Sequence, residues 1–187
     1  MSTPTTPMQY TRTAVTLRWL IAVLIFVTFP LGLYVEELTL SPTKLKLISY
    51  HKWIGVTVFS LVLLRLLWRA THTPPPLPPT TPRWQQWASN AVHASLYVLM
   101  LAVPVSGWLM SSAKGVQTVW FGVLPLPDLV SKDKALGELL SEVHEVLSFT
   151  LMTLVLAHVA AALKHHFIDR DGLLRRMSFR RQKGACA

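Results

Sequence analysis

The sequence contains little cysteine and little charge. Cys186 is the only cysteine among 187 residues. This excludes an internal disulfide, a cysteine-ligated iron–sulfur cluster and the C-x-x-C-H attachment of a c-type haem. Only 14% of the residues are charged, whereas 51% are hydrophobic, and the mean hydropathy is +0.40. This composition is too apolar for an ordinary soluble domain and predicts a small integral membrane protein.

Acidic residues are scarce relative to basic ones: 9 Asp and Glu stand against 18 Lys and Arg, which gives a net charge of +9. A nucleic-acid-binding protein can have such a charge. Here, however, the basic residues are spread over loops and the C-terminal tail, and no aromatic-basic recognition motif accompanies them. In a membrane protein the same excess marks topology and contact with anionic headgroups. We therefore expect membrane lipid, and not nucleic acid, as the partner of these charges.

Four stretches of the chain are long and apolar enough to span a bilayer, which requires about 20 residues for a core about 30 Å thick. They are residues 17–35, 48–68, 88–110 and 143–167. The first is not preceded by the basic n-region of a signal peptide, so we expect it to be retained as a helix. The predicted fold class is all-α. A four-helix transmembrane bundle of residues 17–167 follows an N-terminal segment, 1–16, and precedes a basic tail, 168–187.

The distribution of Lys and Arg near the span ends predicts the orientation. Basic residues concentrate at the N-terminal flank, in the proline-rich connector 69–87 and in the tail, which has seven from Lys164 onward. The loop 36–47 has two lysines against two acids, and the loop 111–142 has three lysines against four acids. Both termini are therefore expected on the cytoplasmic side.

Histidines inside the apolar spans are the strongest functional signal, because an ionisable side chain in hydrocarbon is a candidate functional residue by default. His158 follows His144 by 14 residues, so on a regular helix it lies about 21 Å deeper and is rotated by only about 40°. His51 lies at the same predicted depth as His144, at the outer end of another span. His93 begins the third span on the inner side.

Paired histidines at one depth suit a haem, because opposing helices of a bundle can supply an axial nitrogen from each side. His51 and His144 are the candidates for such a pair near the outer face. The alternative is that both are interfacial histidines that hydrogen-bond to lipid headgroups. A structural zinc site requires four tight ligands, which the sequence does not offer. Glu142 and Glu145 lie off the helical face of His144, which disfavours copper or non-haem iron.

Five motifs resemble the bacterial cytochrome b561 family, whose fold is similar to that of the cytochrome b subunits of hydrogenases and formate dehydrogenases. They cover residues 9–177 and are YHKWIG, LLRLLWR followed by PPP, HASLYVLMLAVPVSGWLM, the H-x13-H of span four, and ALKHHFIDRDGLLRRM. The resemblance implies a multi-pass, quinone-linked electron carrier of the bacterial inner membrane. It also implies two b-type haems, each held by two histidines. His51 and His144 match the ligands of the outer haem, and His158 matches one ligand of the inner haem.

The sequence departs from the family pattern at the second ligand of the inner haem, where Arg18 stands in place of histidine. Arginine stays protonated and has no lone pair for iron. Either the inner haem is absent, or His93 supplies the missing nitrogen, or the haem is five-coordinate on His158 with Arg18 pairing a propionate. Arg65, at the inner end of span two, either reaches the interface or neutralises an inner propionate.

The leading functional hypothesis is a membrane b-type cytochrome, a candidate quinone-linked oxidoreductase of the respiratory chain. It would transfer electrons between a donor and ubiquinone or menaquinone. The family resemblance implies quinol, superoxide or a redox protein partner as the donor. A second hypothesis is a haem-bearing membrane anchor and electron relay for a separate dehydrogenase or hydrogenase subunit.

A third hypothesis is a haem-free transporter or scaffold that uses its histidines for protons. The resemblance alone suggests a homodimer. Lys44, Lys46 and Lys52 beside the outer end of span two form either a solvated rim or an entrance that attracts an anionic reductant.

Overall fold

The computed structural model describes residues 10–73 and 82–169. It contains four long helices, which are α1 (Arg12–Glu37), α2 (Pro42–Thr71), α3 (Arg83–Ala113) and α4 (Lys134–Lys164). Two short strands, β1 (Val119–Trp120) and β2 (Leu124–Pro125), lie between α3 and α4, and a π-helical turn, His165–Asp169, continues α4. All four long helices are apolar and long enough to cross a membrane. The predicted all-α four-helix transmembrane bundle is confirmed.

Each helix begins before the apolar run that predicted it, and polar caps define three of the starts. Thr11, Ser41 and Asp133 each accept a hydrogen bond through the side chain from the backbone amide three residues later. Residues 134–142 form the first turns of α4, because the Asp133 cap begins one continuous helix there.

Seven buried apolar residues form a core cluster to which all four helices contribute. Its members are Ile21, Ile25, Val58, Val62, Leu96, Met100 and Leu151. Many large apolar side chains elsewhere on the helices are exposed, among them Val23, Leu67 and Val146. This distribution is expected where lipid surrounds the helices, because lipid does not penalise apolar surface.

The helices pack mainly in two pairs. The contacts of α3 with α4 are the most extensive, those of α1 with α2 come next, and α2 also packs on α3. The edge-to-face contact of Phe29 with Phe149, at 5.5 Å between ring centres, joins α1 to α4. We call the end with the connections 38–41 and 114–133 the hairpin end. The terminal end is where α1 begins and α4 ends. They correspond to the predicted outer and inner sides.

The connection 114–133 folds back onto α2 at the hairpin end. In it, β1 and β2 pair antiparallel, and Phe121 between them adopts a positive φ of 51°. Trp53 donates from Nε1 to the carbonyl oxygen of Val119 at 2.7 Å, and Trp120 donates from Nε1 to the Thr57 hydroxyl at 3.3 Å. One tryptophan from α2 and one from the connection thus attach the connection to α2.

Some predictions concern residues outside the described part of the chain. These are the N-terminal segment up to residue 9, the core of the proline-rich connector, 74–81, and the basic tail from residue 170. Their predicted roles stay predictions.

Candidate metal centres

Residues spaced seven apart on each helix form three layers across the bundle. Neighbouring layers are separated by about two helical turns, or about 10.5 Å. The hairpin-end layer combines two histidines with two glycines: Gly32, His51, Gly107 and His144. The middle layer is apolar: Ile25, Val58, Met100 and Leu151. The terminal-end layer is basic: Arg18, Arg65, His93 and His158.

His51, on α2, is oriented by α1. Its Nδ1 lies 3.1 Å from the carbonyl oxygen of Thr28 and 3.2 Å from the hydroxyl of the same residue. A carbonyl oxygen can only accept, so Nδ1 carries the proton and the lone pair is on Nε2. Gly32 makes room for the ring, because a Cβ there would lie 2.9 Å from Cε1 of His51.

His144, on α4, is oriented by α3 in the same manner. Its Nδ1 lies 3.0 Å from the carbonyl oxygen of Val103 and 3.0 Å from Oγ of Ser106. A Cβ at Gly107 would lie 3.0 Å from Cε1 of the ring. In both cases a backbone carbonyl fixes the tautomer of the histidine. A glycine four residues after the residue with that carbonyl leaves space for the imidazole ring. Each helix pair therefore supplies one oriented imidazole.

The two imidazoles meet in the bundle, with ring centres 6.3 Å apart and planes at 81°. A metal-bound imidazole nitrogen lies about 2.0 Å from the metal, so two imidazoles on opposite sides of one metal have ring centres roughly 6 Å apart. Neither Nε2 has a hydrogen-bond partner among residues 10–73 and 82–169. The spacing and the donor atoms of His51 and His144 thus fit ligation of one metal from both sides.

The donor set fits haem better than a bare metal ion. In the described ranges, no three His, Cys, Asp or Glu side chains form a group that could hold a metal ion. Glu142 and Glu145 are exposed, as expected from their place on the helix. Haem iron takes four nitrogens from the porphyrin and only one or two ligands from the protein. Two histidines suffice for it, whereas a zinc site would be incomplete.

The middle layer separates the two polar layers. Its four side chains are 4–7% exposed, and all belong to the core cluster. Water is therefore excluded from the level between the two sets of histidines.

The terminal-end layer brings together His93 of α3 and His158 of α4. Their ring centres are 5.2 Å apart with planes at 69°, and Nδ1 of His93 lies 3.4 Å from Oγ of Ser89. Arg18 of α1 and Arg65 of α2 lie at the same level of the bundle. This end of the bundle is strongly cationic.

Aromatic rings support both arginines of this layer. The guanidinium carbon of Arg18 lies 5.1 Å from the centre of the Tyr10 ring, and that of Arg65 lies 5.4 Å from the centre of the Tyr97 ring. Cation–π contacts at these distances hold a guanidinium in place without neutralising it. Each guanidinium group is therefore held in place by an aromatic ring of a neighbouring residue.

The three lysines predicted near the outer end of span two do not form a uniform rim. Lys52 donates from Nζ to Oγ of Ser111 at 2.5 Å and to the carbonyl oxygen of Val116 at 3.1 Å. Lys44 donates to the carbonyl oxygen of Leu38 at 2.5 Å. These two lysines therefore stabilise the connections of the hairpin end, and Lys46 is exposed.

Sequence reasoning missed the residues that orient the two rings: Thr28, Gly32, Ser106 and Gly107. The sequence could have indicated the two glycines, because Gly32 lies 14 residues after Arg18 and Gly107 lies 14 residues after His93. The sequence could not have indicated the two carbonyl groups, since every residue has a backbone carbonyl.

A membrane-spanning helical bundle with facing imidazoles at haem spacing defines a class, the membrane haem proteins. The sequence matches the family described as prokaryotic cytochrome b561 over residues 9–180, and the chain belongs to that family. It is an integral membrane b-type cytochrome of electron transfer, from bacteria. The family resemblance inferred from the sequence motifs is confirmed.

Curated relatives match over most of their length. Cytochrome b561 homolog 2 of Escherichia coli (strain K12) is 34% identical over 95% of this chain and 95% of its own. Cytochrome b561 homolog 1 of the same organism is 28% identical over 93% of this chain and 99% of its own. A probable superoxide oxidase of Yersinia pestis is 25% identical over 69% of this chain and 77% of its own.

Proposed function

We propose that this cytochrome transfers electrons from superoxide at the hairpin end to the quinone pool of the bacterial inner membrane. The haem that does so would be held by His51 and His144. The observation that supports this most is the pair of facing imidazoles, both with Nδ1 bonded to a backbone carbonyl and Nε2 available. When bound, haem supplies the one-electron redox chemistry, and the protein supplies binding, orientation and electrostatics.

The residues around the two rings set the properties of the ligands. The carbonyls of Thr28 and Val103 accept from Nδ1 and so increase the basicity of each Nε2. A more basic ligand favours the ferric over the ferrous state. The apolar middle layer excludes water beneath the pair, which strengthens these electrostatic effects.

Superoxide as the donor is supported by the relative named as a probable superoxide oxidase. Superoxide gives up one electron at a time, which suits the one-electron redox chemistry of haem. Two superoxide ions each give up one electron and become dioxygen. One quinone takes the two electrons with two protons and becomes quinol, so the reaction balances without another reactant.

A rapid-mixing experiment tests this function. Purified ferric protein receives a pulse of superoxide, first alone and then with a water-soluble ubiquinone analogue. We expect the reduced b-type absorption band to appear, to disappear when the quinone is present, and to be abolished by superoxide dismutase. His144→Ala should lose the response, whereas His72→Ala, an exposed histidine stacked on Trp68, should retain it.

Two results would contradict the proposal. If quinol reduces the haem rapidly and superoxide does not, the donor is a quinol. If neither reduces it and the protein copurifies with a dehydrogenase or hydrogenase subunit, the cytochrome is the relay of a larger complex.

A further inference from the structure

The two polar layers of the bundle differ in one respect that determines what each can bind. In the hairpin-end layer, the two histidines come from different helix pairs, His51 from α1–α2 and His144 from α3–α4. In the terminal-end layer, both histidines come from α3–α4, and α1–α2 supplies only Arg18 and Arg65. One face of this layer therefore has imidazoles, and the other has guanidinium groups.

His93 and His158 are poorly placed to grip one iron from opposite sides. Their ring centres are 5.2 Å apart, against 6.3 Å for His51 and His144. Two imidazoles on opposite sides of one metal require about 6 Å. They also project from α3 and α4, the pair with the most extensive packing. The two imidazoles therefore lie side by side on the α3–α4 pair.

In this layer the α1–α2 pair supplies positive charge but no ligand for iron. Guanidinium has no free lone pair, yet it donates strong hydrogen bonds to anions. Arg18 of α1 and Arg65 of α2 belong to the same layer as His93 of α3 and His158 of α4. Two arginines in one layer could form hydrogen bonds with the propionates of a haem. They could also bind a further anion at the iron.

We propose that the terminal-end layer holds a second haem through His158 alone, and that the open iron face, bordered by Arg18, binds small exogenous ligands such as carbon monoxide and cyanide. This inference rests on the proposed role of the chain as a haem protein. It assigns the two layers different tasks. The hairpin-end haem, closed by two imidazoles, exchanges electrons, and the terminal-end haem adds a ligand-binding site.

Carbon monoxide difference spectra of the purified full-length protein, together with the haem-to-protein ratio, test this inference. We expect a ratio of two in the wild type and a carbon monoxide response from about half of the reduced haem, because a haem with two imidazoles lacks an open position. The oxidised protein should show a high-spin ferric electron paramagnetic resonance signal beside a low-spin one. Arg18→His should retain both haems, lose the carbon monoxide response and convert the high-spin signal to low-spin.

Three further variants assign the site. His158→Ala should lower the ratio to one and abolish the response, whereas His93→Ala should leave both unchanged. Arg18→Gln should leave carbon monoxide binding nearly unchanged and weaken cyanide binding about 10-fold, because cyanide is an anion and loses a charge-assisted hydrogen bond. This variant tests the role of Arg18 even if Arg18→His fails to fold.

Several outcomes would overturn the inference. A ratio of two without a carbon monoxide response, with the response appearing in His93→Ala, would make His93 the second ligand. A ratio of one without a response would mean that this layer binds no haem. A response retained in His158→Ala would place the open iron elsewhere. These results leave the hairpin-end haem intact, whereas a haem-free wild type would contradict the proposed function itself.

Discussion

At the scale of single residues, the two imidazoles of the hairpin-end layer are controlled by groups that belong to other helices. His51 and His144 follow one arrangement: a carbonyl and a hydroxyl bind Nδ1, and a glycine faces Cε1. A ligand whose rotamer and tautomer are already fixed loses little entropy when it binds metal. The orienting residues should therefore matter nearly as much as the histidines.

Adding bulk at Gly32 should displace His51. A Cβ at this position lies 2.9 Å from the ring, and the branched side chain of Gly32→Val extends further into it. We expect the haem-to-protein ratio to fall by about one. The matched control is Gly55→Ala, where a Cβ meets nothing within 4 Å; it should keep its haem and gain up to about 1 kcal/mol of helix stability. An unchanged spectrum and ratio in Gly32→Val would contradict the role of this glycine.

Removing the Thr28 hydroxyl should change the midpoint potential of the haem without changing the haem content. Thr28→Val loses the 3.2 Å contact with Nδ1 of His51 but keeps the carbonyl at 3.1 Å. With one acceptor fewer the imidazole is less basic, so the midpoint potential should rise while the haem content stays constant. A potentiometric titration measures this shift. Thr150→Val, an exposed hydroxyl bonded only to its own helix, is the control and should leave the potential unchanged.

At the scale of the elements, the apolar runs specify the four helices, and the caps extend them. The sequence predicted the number and order of the helices because each run exceeds the thickness of a bilayer core. It also predicted that His51 and His144 lie at one depth, because helical rise converts sequence distance into depth. The strand pairing of residues 119–125 was not predicted, since two-residue strands carry no periodicity.

The terminal-end layer shows a second limit of sequence reasoning. Sequence spacing placed His93 on the side of His158, but it could not say whether the two rings face each other across a haem or stand side by side. That distinction depends on which helices pack together, and helical periodicity does not encode the pairing. The structure places both rings on the α3–α4 pair.

The connection 114–133 should depend on Trp53 for its attachment to α2. Trp53→Phe removes the 2.7 Å hydrogen bond to Val119 but keeps an aromatic ring beside Phe121, whose centre lies 5.5 Å away in the wild type. We expect the free energy of unfolding to fall by about 1 kcal/mol and amide exchange to increase across residues 119–125. Trp87→Phe is the control, because Trp87 is 78% exposed. Unchanged exchange in Trp53→Phe would show that other contacts hold the connection.

At the scale of the whole molecule, charge is distributed asymmetrically between the two ends of the bundle. The terminal end combines the basic layer with the basic flanks of the sequence, whereas the hairpin-end connections contain as many acids as lysines or more. We therefore expect the terminal end to face the cytoplasm and the hairpin end to face the periplasm. The homodimer suggested by the family resemblance stays a prediction.

The single cysteine tests this orientation. Cys186 should react with a membrane-impermeant thiol reagent only after spheroplasts are permeabilised. In a Cys186→Ser background, Lys132→Cys in the 114–133 connection should react in intact spheroplasts. The opposite labelling pattern would invert the topology and would place the hairpin-end haem on the cytoplasmic side.

Whether His51 and His144 share one iron is tested most directly by the haem-to-protein ratio of four proteins: wild type, His51→Ala, His144→Ala and the double variant. We expect each single substitution to remove the same low-spin haem, and the double substitution to remove no more than either one. Full haem content in a single variant, or a loss in the double variant equal to the sum of two separate losses, would show that the two imidazoles do not bind the same metal.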